Sequence, residues 1–130
     1  PVLTKAKTRN PTWKIRKGDE IGTRVTLRKS AAENVLRNAL EAVDFKLKEN
    51  SFDKFGNVSF GVKEYIDYPG IKYDPKIGMY GFDVCVTLRR RGKRVSERMR
   101  KKATLGKAHL IKKEEAIEFA KQRLGAKIEE

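Results

Sequence analysis

The chain has 130 residues, 38% of them hydrophobic and 37% charged, which fits one domain with one modest core. Its 31 Lys and Arg against 17 Asp and Glu give a formal net charge of +14, which favours polyanionic partners, with nucleic acid ahead of an anionic membrane. No apolar run approaches the ~20 residues that span a bilayer, no signal-peptide pattern opens the chain, and the single cysteine, Cys85, leaves no intrachain disulfide and favours a reducing compartment.

Two paired strands are predicted at the start of the chain, over residues 1–7 and 21–28. Side chains alternate faces along a strand, so the second strand has an apolar face and a small, hydroxylated, cationic face. The apolar face holds Ile21, Thr23, Val25 and Leu27, and the cationic face holds Gly22, Arg24, Thr26 and Arg28. The cationic face is either an ordinary solvated sheet face or a surface for a partner.

A long hairpin with a mobile, basic tip is predicted between these strands, because Asn10-Pro11 and Lys17-Gly18-Asp19 are turn signals. Two interpretations of Trp13 stay open. It is either a core anchor or an exposed ring that stacks on a base or ribose.

Helices and strands follow in alternation. A helix is predicted over 31–48, with a Ser30–Glu33 capping box and an apolar stripe at helical spacing. Strands are predicted over 58–66, with a bulge or close approach at Gly61, and over 81–89. Residues 67–79 are irregular, and a closing helix over 112–125 ends at Gly125. The fold class is α+β: a mostly antiparallel sheet with helices packed on one face and long basic loops, a two-layer sandwich in a single domain over 1–130.

The most basic part of the chain is an arm over residues 89–110. Its candidate nucleic-acid contacts are Arg89, Arg90, Arg91, Lys93, Arg94, Arg98, Arg100, Lys101, Lys102 and His109. A run of this kind has too little apolar content to fold alone and commonly serves as a nucleic-acid arm, although a solvated tail is the alternative.

No catalytic constellation is recognisable. His109 is the only histidine, and one Cys with one His supplies too few soft ligands for a structural zinc site. A Mg²⁺-dependent nuclease would need converging acids, for which Asp67, Asp74 and Asp83 are the nearest candidates. The prediction is a protein that is not an enzyme, with no catalytic residue, metal or cofactor.

Four blocks of sequence resemble the universal large-subunit ribosomal protein L-five family, which binds 5S rRNA. The blocks are PVLTKAK (1–7), IRKGDEIG running into VTLR (15–28), FD with GNVSFGVKE (52–64), and YDPKIGMYGFDV (73–84). The YDPKIG block, with the Lys/Arg arm ahead of a KEEAI helix, resembles the archaeal and eukaryotic branch. The family has a further N-terminal helix, strand and connection that this chain lacks, so we expect burial around the first strand to be incomplete.

The resemblance implies a constituent of cytoplasmic ribosomes that sits in the central protuberance of the large subunit, beside neighbouring ribosomal proteins. It implies binding to 5S rRNA and large-subunit rRNA, contact with the P-site tRNA, and a bridge to a protein of the small-subunit head, with no membrane partner. The arm is expected to order only when it meets rRNA. The alternative is a basic RNA-binding accessory factor or RNA chaperone outside the ribosome.

Carried over by position, the resemblance divides the remaining candidates into three groups. The 5S rRNA surface would comprise Lys5, Lys7, Arg24, Thr26 and Arg28. The tRNA-contacting loop, within residues 8–17, would comprise Arg9, Asn10, Thr12, Trp13, Lys14, Arg16 and Lys17. The intersubunit bridge loop, within residues 68–75, would comprise Tyr68, Ile71, Tyr73 and Asp74.

Overall fold

The computed structural model describes residues 1–129, and the chain divides into two compact units, Pro1–Glu33 and a second unit that begins at Asn34. Helices and mostly antiparallel strands are both present, so the predicted α+β class is confirmed. The strands form three two-stranded sheets where the sequence predicts one continuous sheet. The assignment of a single domain stays a prediction.

The first unit is a hairpin of strands β1 (Val2–Lys5) and β2 (Glu20–Arg24), which confirms the predicted antiparallel pairing. The prediction that the second strand reaches Arg28 is wrong. Val2 lies opposite Arg24, so residues 25–28 have no described strand to supply the ladder hydrogen bonds that an extended segment needs.

Helix α1 (Lys29–Glu41) begins two residues earlier than predicted and ends seven residues earlier. Its start places Ser30 inside the first turn, so the predicted capping box is not formed. The predicted continuation to Lys48 is wrong because Asp44 and Phe45 adopt φ values of +54° and +58°, which a right-handed helix does not allow.

Strand β3 (Lys46–Lys48) follows this turn and pairs in parallel with β6 (Lys127–Glu129), and neither strand is predicted from the sequence. The Lys127 amide donates a hydrogen bond to the Phe45 carbonyl at 2.7 Å, which extends the pairing toward the turn. The closing helix, α3 (Lys113–Leu124), is confirmed. It ends at Gly125 in the left-handed conformation, with φ at +66°.

Strands β4 (Asn57–Val62) and β5 (Phe82–Thr87) form a regular antiparallel pair. Val58 lies opposite Val86, and Val62 lies opposite Phe82, so these residues share the apolar face that the alternation predicts. The ladder runs through Gly61 without a shift in register, so the predicted bulge is wrong, and a side chain lies close to Gly61 where a close backbone approach was the alternative. A Cβ at Gly61 would lie 3.1 Å from a carboxylate oxygen of Asp83.

Short elements join these parts. Single 3₁₀ turns occupy Glu49–Ser51, Tyr65–Asp67 and Lys107–His109, and the arm contains a four-residue helix, α2 (Arg94–Glu97). Lys113 at the start of α3 donates a hydrogen bond to Glu49 at 2.6 Å, and this ammonium group holds the pKa of the Glu49 carboxyl below its ordinary value. Among residues 1–129, no helix combines the length and apolar content that crossing a bilayer requires.

The core of the second unit forms where α1, α3 and β4 meet. Its fully or nearly fully buried side chains are Leu40, Leu47, Phe52, Val58, Ala116, Ala120 and Ala126. The two alanines of α3 have 0% and 1% exposure, and their small size lets the helix backbone lie close to its neighbours. Leu40 is the largest side chain with 0% exposure, so truncating it would leave a cavity enclosed by the core.

We expect Leu40→Ala to lower the free energy of unfolding by about 2–5 kcal/mol, because it removes buried methyl groups and leaves a cavity. Urea unfolding followed by circular dichroism measures the change. Leu3→Ala is the matched control: Leu3 is 52% exposed, so the same truncation should change stability by no more than about 0.5 kcal/mol. Equal losses in the two variants would contradict this account of the core.

Candidate nucleic-acid interface

The hairpin of the first unit ends in a structured tip. Asn10 and Ile15 exchange two backbone hydrogen bonds of 3.0 Å, and the Thr12 amide donates to the Asn10 side chain at 3.1 Å. The Lys14 amide donates to the Pro11 carbonyl, and Lys14 adopts φ of +55°. These bonds close a tight turn over residues 10–15.

The tip presents one aromatic ring among cations. Trp13 is 73% exposed, which decides between the two interpretations of this residue in favour of an exposed ring. Six of the predicted loop residues are exposed and Asn10 is partly buried: the exposed ones are Arg9, Thr12, Trp13, Lys14, Arg16 and Lys17. An exposed indole beside cations can stack on a base or ribose while the cations meet phosphates.

The predicted 5S surface is exposed but is not one strand face. Lys5 lies on β1, and Lys7 follows it. Arg24 is the last residue of β2, and Thr26 and Arg28 lie in the connection to α1. The apolar face of β2 is not buried, and the expected incomplete burial around the first strand is confirmed, since Val2 and Leu3 are 58% and 52% exposed. Ile21 and Val25 are 58% and 60% exposed, because no element of the first unit covers the hairpin.

The arm begins and ends on the core of the second unit. Leu88 precedes it and Ile111 follows it, and both pack against the buried cluster. Within the arm, the Ala103 amide donates to the Val95 carbonyl at 3.2 Å, and the Arg98 side chain donates to the Lys101 carbonyl at 2.8 Å. The arm therefore has a defined conformation in the structure, and its dependence on rRNA for ordering stays a prediction.

Few of the arm's cations have a carboxylate partner. Arg89 pairs with Glu97 at 3.1 Å, and Arg90 pairs with Glu115 at 2.7 Å. These pairs are close to half exposed, and such pairs contribute only about 0–1 kcal/mol each, so a phosphate can compete for either guanidinium. In the part of the chain that the structure describes, the other predicted cations of the arm make no ion pair: Arg91, Lys93, Arg94, Arg98, Arg100, Lys101 and Lys102.

His109 lies partly buried in the 3₁₀ turn that closes the arm. Its Nε2 is shielded from solvent and has no hydrogen-bond partner among the described residues. The ring approaches the backbone at Gly92, where a Cβ would lie 3.7 Å from Nε2. Gly92 is near the start of the arm and His109 is near its end, so the arm folds back on itself.

The predicted bridge loop is held by one buried tyrosine. Tyr65 is 3% exposed and stacks on Tyr80 with ring centroids 4.6 Å apart, and its hydroxyl oxygen accepts a hydrogen bond from the Asp74 amide at 3.0 Å. Tyr68 packs edge-on against Phe82. Ile71 and Tyr73 remain exposed, at 44% and 53%.

Sequence reasoning missed several exposed apolar side chains next to candidate sites, among them Met99, which is fully exposed between Arg98 and Arg100 of the arm. Ile77 and Met79, 61% and 55% exposed, extend the apolar surface of the bridge loop. Phe55 is 60% exposed at the turn before β4. Two phenylalanines, Phe52 and Phe55, flank Asp53-Lys54 in the sequence. Only Phe52 belongs to the buried cluster, so the ring of Phe55 is left at the surface.

The nuclease alternative lacks its geometry. Within residues 1–129, no group of three or more His, Cys, Asp or Glu side chains is placed to hold one metal ion. Asp67, Asp74 and Asp83 therefore do not converge as a two-metal or single-metal nuclease would require.

The fold and the exposed cations define a class, small and strongly basic α+β proteins with structured loops. The model of the C-terminus of the ribosomal protein L-five family matches residues 20–119. The chain belongs to this ribosomal protein family.

Relatives named large ribosomal subunit protein uL5 match the chain nearly from end to end. The protein of Sulfolobus acidocaldarius is 47% identical over 98% of this chain, and that of Methanococcus vannielii is 50% identical over 98%. That of Pyrobaculum aerophilum is 48% identical over 99%. The chain spans 72% of the length of each of these relatives. All three organisms are archaea, in agreement with the predicted branch.

We expect Tyr65→Phe to loosen the bridge loop, because the Asp74 amide loses its hydrogen-bond acceptor while the ring stack remains. The change should cost about 1 kcal/mol locally, which corresponds to roughly fivefold faster hydrogen exchange at Asp74. Exchange measured by NMR tests this. Tyr73→Phe removes a hydroxyl from an exposed ring in the same loop and should leave that rate unchanged. The same rate in both variants would show that Tyr65 does not hold the loop.

Proposed function

We propose that this protein is a structural constituent of the large ribosomal subunit that binds 5S rRNA in the central protuberance. The observation that carries the proposal is 47–50% identity, over 98% or more of this chain, to relatives named large ribosomal subunit protein uL5. Its site of action is the ribosome in the cytoplasm. The protein contributes assembly and positioning, without catalysis.

Binding to RNA is driven by charge in this proposal. Cationic side chains neutralise phosphates and release condensed counterions, which supplies most of the affinity. The net charge of +14 and the exposed, mostly unpaired cations of the arm support this mechanism. The arm contacts large-subunit rRNA through these cations.

Discrimination between RNAs requires contacts other than phosphate pairing. A-form grooves hide base edges from side chains, so shape, 2′-hydroxyls and unstacked loop bases carry the recognition. Thr26 is suited to a 2′-hydroxyl because its own hydroxyl can both donate and accept a hydrogen bond. It is exposed between Arg24 and Arg28, which supports a place in the 5S surface together with Lys5 and Lys7.

The hairpin tip is proposed to contact the elbow of the P-site tRNA. The support is chemical: Trp13 is 73% exposed at the turn and is followed by Lys14, with further cations on both sides. A ring on a closed turn loses little conformational freedom when it stacks on a ribose or base.

The loop at residues 68–79 is proposed to contact a protein of the small-subunit head. The other proposed protein partners are the neighbouring ribosomal proteins of the central protuberance. The loop displays Ile71, Tyr73, Ile77 and Met79, which are 44–61% exposed. Aromatic residues and methionine are enriched at protein interfaces. The anchor through Tyr65 keeps this surface in one conformation, which lowers the entropic cost of docking.

The experiment that tests the proposal is binding to 5S rRNA against an unrelated structured RNA of equal length, titrated in salt. We expect both affinities to fall as salt rises, with a preference for 5S rRNA that survives the titration, because shape and hydroxyl contacts are screened less than phosphate contacts. Equal affinities that fall together would favour the accessory factor or RNA chaperone. Refolding of unrelated RNAs by the protein is the second measurement that separates these functions.

We expect Thr26→Val to weaken 5S rRNA binding about fivefold, the equivalent of one net hydrogen bond of about 1 kcal/mol. The dependence of affinity on salt should stay unchanged, because the substitution removes no charge. Filter binding over a salt series measures both quantities. Thr23→Val is the matched control, since Thr23 is exposed on β2, where it lies opposite Leu3. An unaltered affinity for the Thr26 variant would remove this residue from the 5S surface.

A further inference from the structure

A cavity of about 330 Å³ lies where the arm folds back on the ends of β4 and β5. It falls within the size range of small-ligand sites, about 300–1,000 Å³. Residues from both ends of the arm line it, together with the turn before β4, so it exists only because the arm is folded. All of its lining residues belong to the second unit.

Part of the cavity lining is apolar and includes an aromatic ring. Phe55, Leu105 and Ile111 belong to this part, and Phe55 is 60% exposed. Gly56 lets the turn approach the chain here, since a Cβ on it would lie 2.7 Å from Cγ2 of Ile111. The flat face of a phenylalanine beside aliphatic side chains suits the face of a planar heterocycle.

The lining of the cavity also includes polar and cationic side chains. Lys93 is partly buried there and has no carboxylate partner within 4 Å among residues 1–129. The side-chain amide nitrogen of Asn57 donates a hydrogen bond to the carboxylate of Asp53 at 3.2 Å. The side-chain oxygen of Asn57 accepts no hydrogen bond from any described residue. Arg89 and Arg90 also line the site, each in an exposed ion pair that a phosphate can displace.

His109 also lines the cavity and carries an unsatisfied nitrogen. A shielded imidazole Nε2 without a partner is a free-energy cost in the folded arm. The imidazole ring is also a stacking surface for a base. A planar, hydrogen-bonding heterocycle attached to a phosphate therefore matches the apolar, polar and cationic residues that line the cavity.

We propose that this cavity receives a single unstacked nucleobase of an RNA strand, with the phosphate of that nucleotide on Lys93. Phe55 and His109 are the stacking surfaces, Asn57 offers an amide to the base edge, and Arg89 and Arg90 contact the flanking phosphates. The inference rests on the proposed function in taking RNA as the source of the nucleotide. In this arrangement the arm binds RNA through a base as well as through phosphates.

The full chain, observed by NMR, provides the test, because its single histidine gives one unambiguous ring signal. The probes are adenosine monophosphate, inorganic phosphate and a single-stranded oligoadenylate, all at the same pH. We expect adenosine monophosphate to shift the His109 ring signal and to give a cross-relaxation signal between base protons and the Phe55 ring. Inorganic phosphate should give no cross-relaxation signal at Phe55 and a smaller shift of the His109 signal, and the oligoadenylate should bind about tenfold tighter through its flanking phosphates.

Two variants that each remove one positive charge distinguish binding in the cavity from general electrostatic attraction. Lys93→Ala should weaken oligoadenylate binding about fivefold more than Lys102→Ala, because Lys102 is an exposed cation of the same arm outside the cavity. The inference fails if phosphate alone reproduces the His109 shift, if no base proton approaches Phe55, or if the two variants bind equally. Binding of free nucleotide as tight as the oligonucleotide would overturn RNA as the source.

Titration with 5S rRNA on the same samples keeps the two proposals distinguishable. If 5S rRNA retains its preference while base contact at Phe55 is absent, the cavity inference is wrong and the proposed function stands. If base contact is present while the preference for 5S rRNA is absent, the proposed function is wrong and the cavity inference stands.

Discussion

The second unit depends on the close packing of α3 against its neighbours, which two alanines make possible. Ala116 and Ala120 are almost completely buried, and Leu88 and Ile111 pack against the cluster that contains them. Both ends of the basic arm are thereby fixed to one core. A loop with fixed ends has less conformational entropy to lose when it binds, so the core sets where the arm's cations lie and how cheaply they meet an RNA.

Few of the positively charged side chains are used in ion pairs within the described part of the protein. Among the described residues, three cations have a carboxylate partner, and all three pairs are at least one-third exposed. Pairs of this kind contribute little to stability, so the excess of Lys and Arg remains available to a polyanion. The hairpin tip and the loop at residues 68–79 add exposed aromatic or aliphatic surface on closed turns, and the arm adds the fully exposed Met99 between two arginines.

Much of the second unit could be predicted because local patterns and long-range contacts agree there. The alternation in β5 matches its burial residue by residue, and the stripe of α3 with Gly125 at its end matches the helix. The same kind of reasoning failed at Leu47, which has the helical spacing of a buried residue and is indeed buried, but in β3. The periodicity of the sequence predicted that Leu47 is buried, but it did not predict the backbone conformation. The positive φ values of Asp44 and Phe45 end the helical path before Leu47.

The charge, the α+β class, the closing helix α3 and the strands β4 and β5 could be predicted from composition and short-range periodicity, whereas the family resemblance rested on four blocks of sequence. Four features became apparent only in the folded chain: the end of β2 at Arg24, the exposure of Trp13, the contact of Tyr65 with a loop nine residues away, and the cavity that Phe55 and His109 line together. Each of these depends on which distant backbone or side chain comes within contact distance. No local pattern encodes that distance.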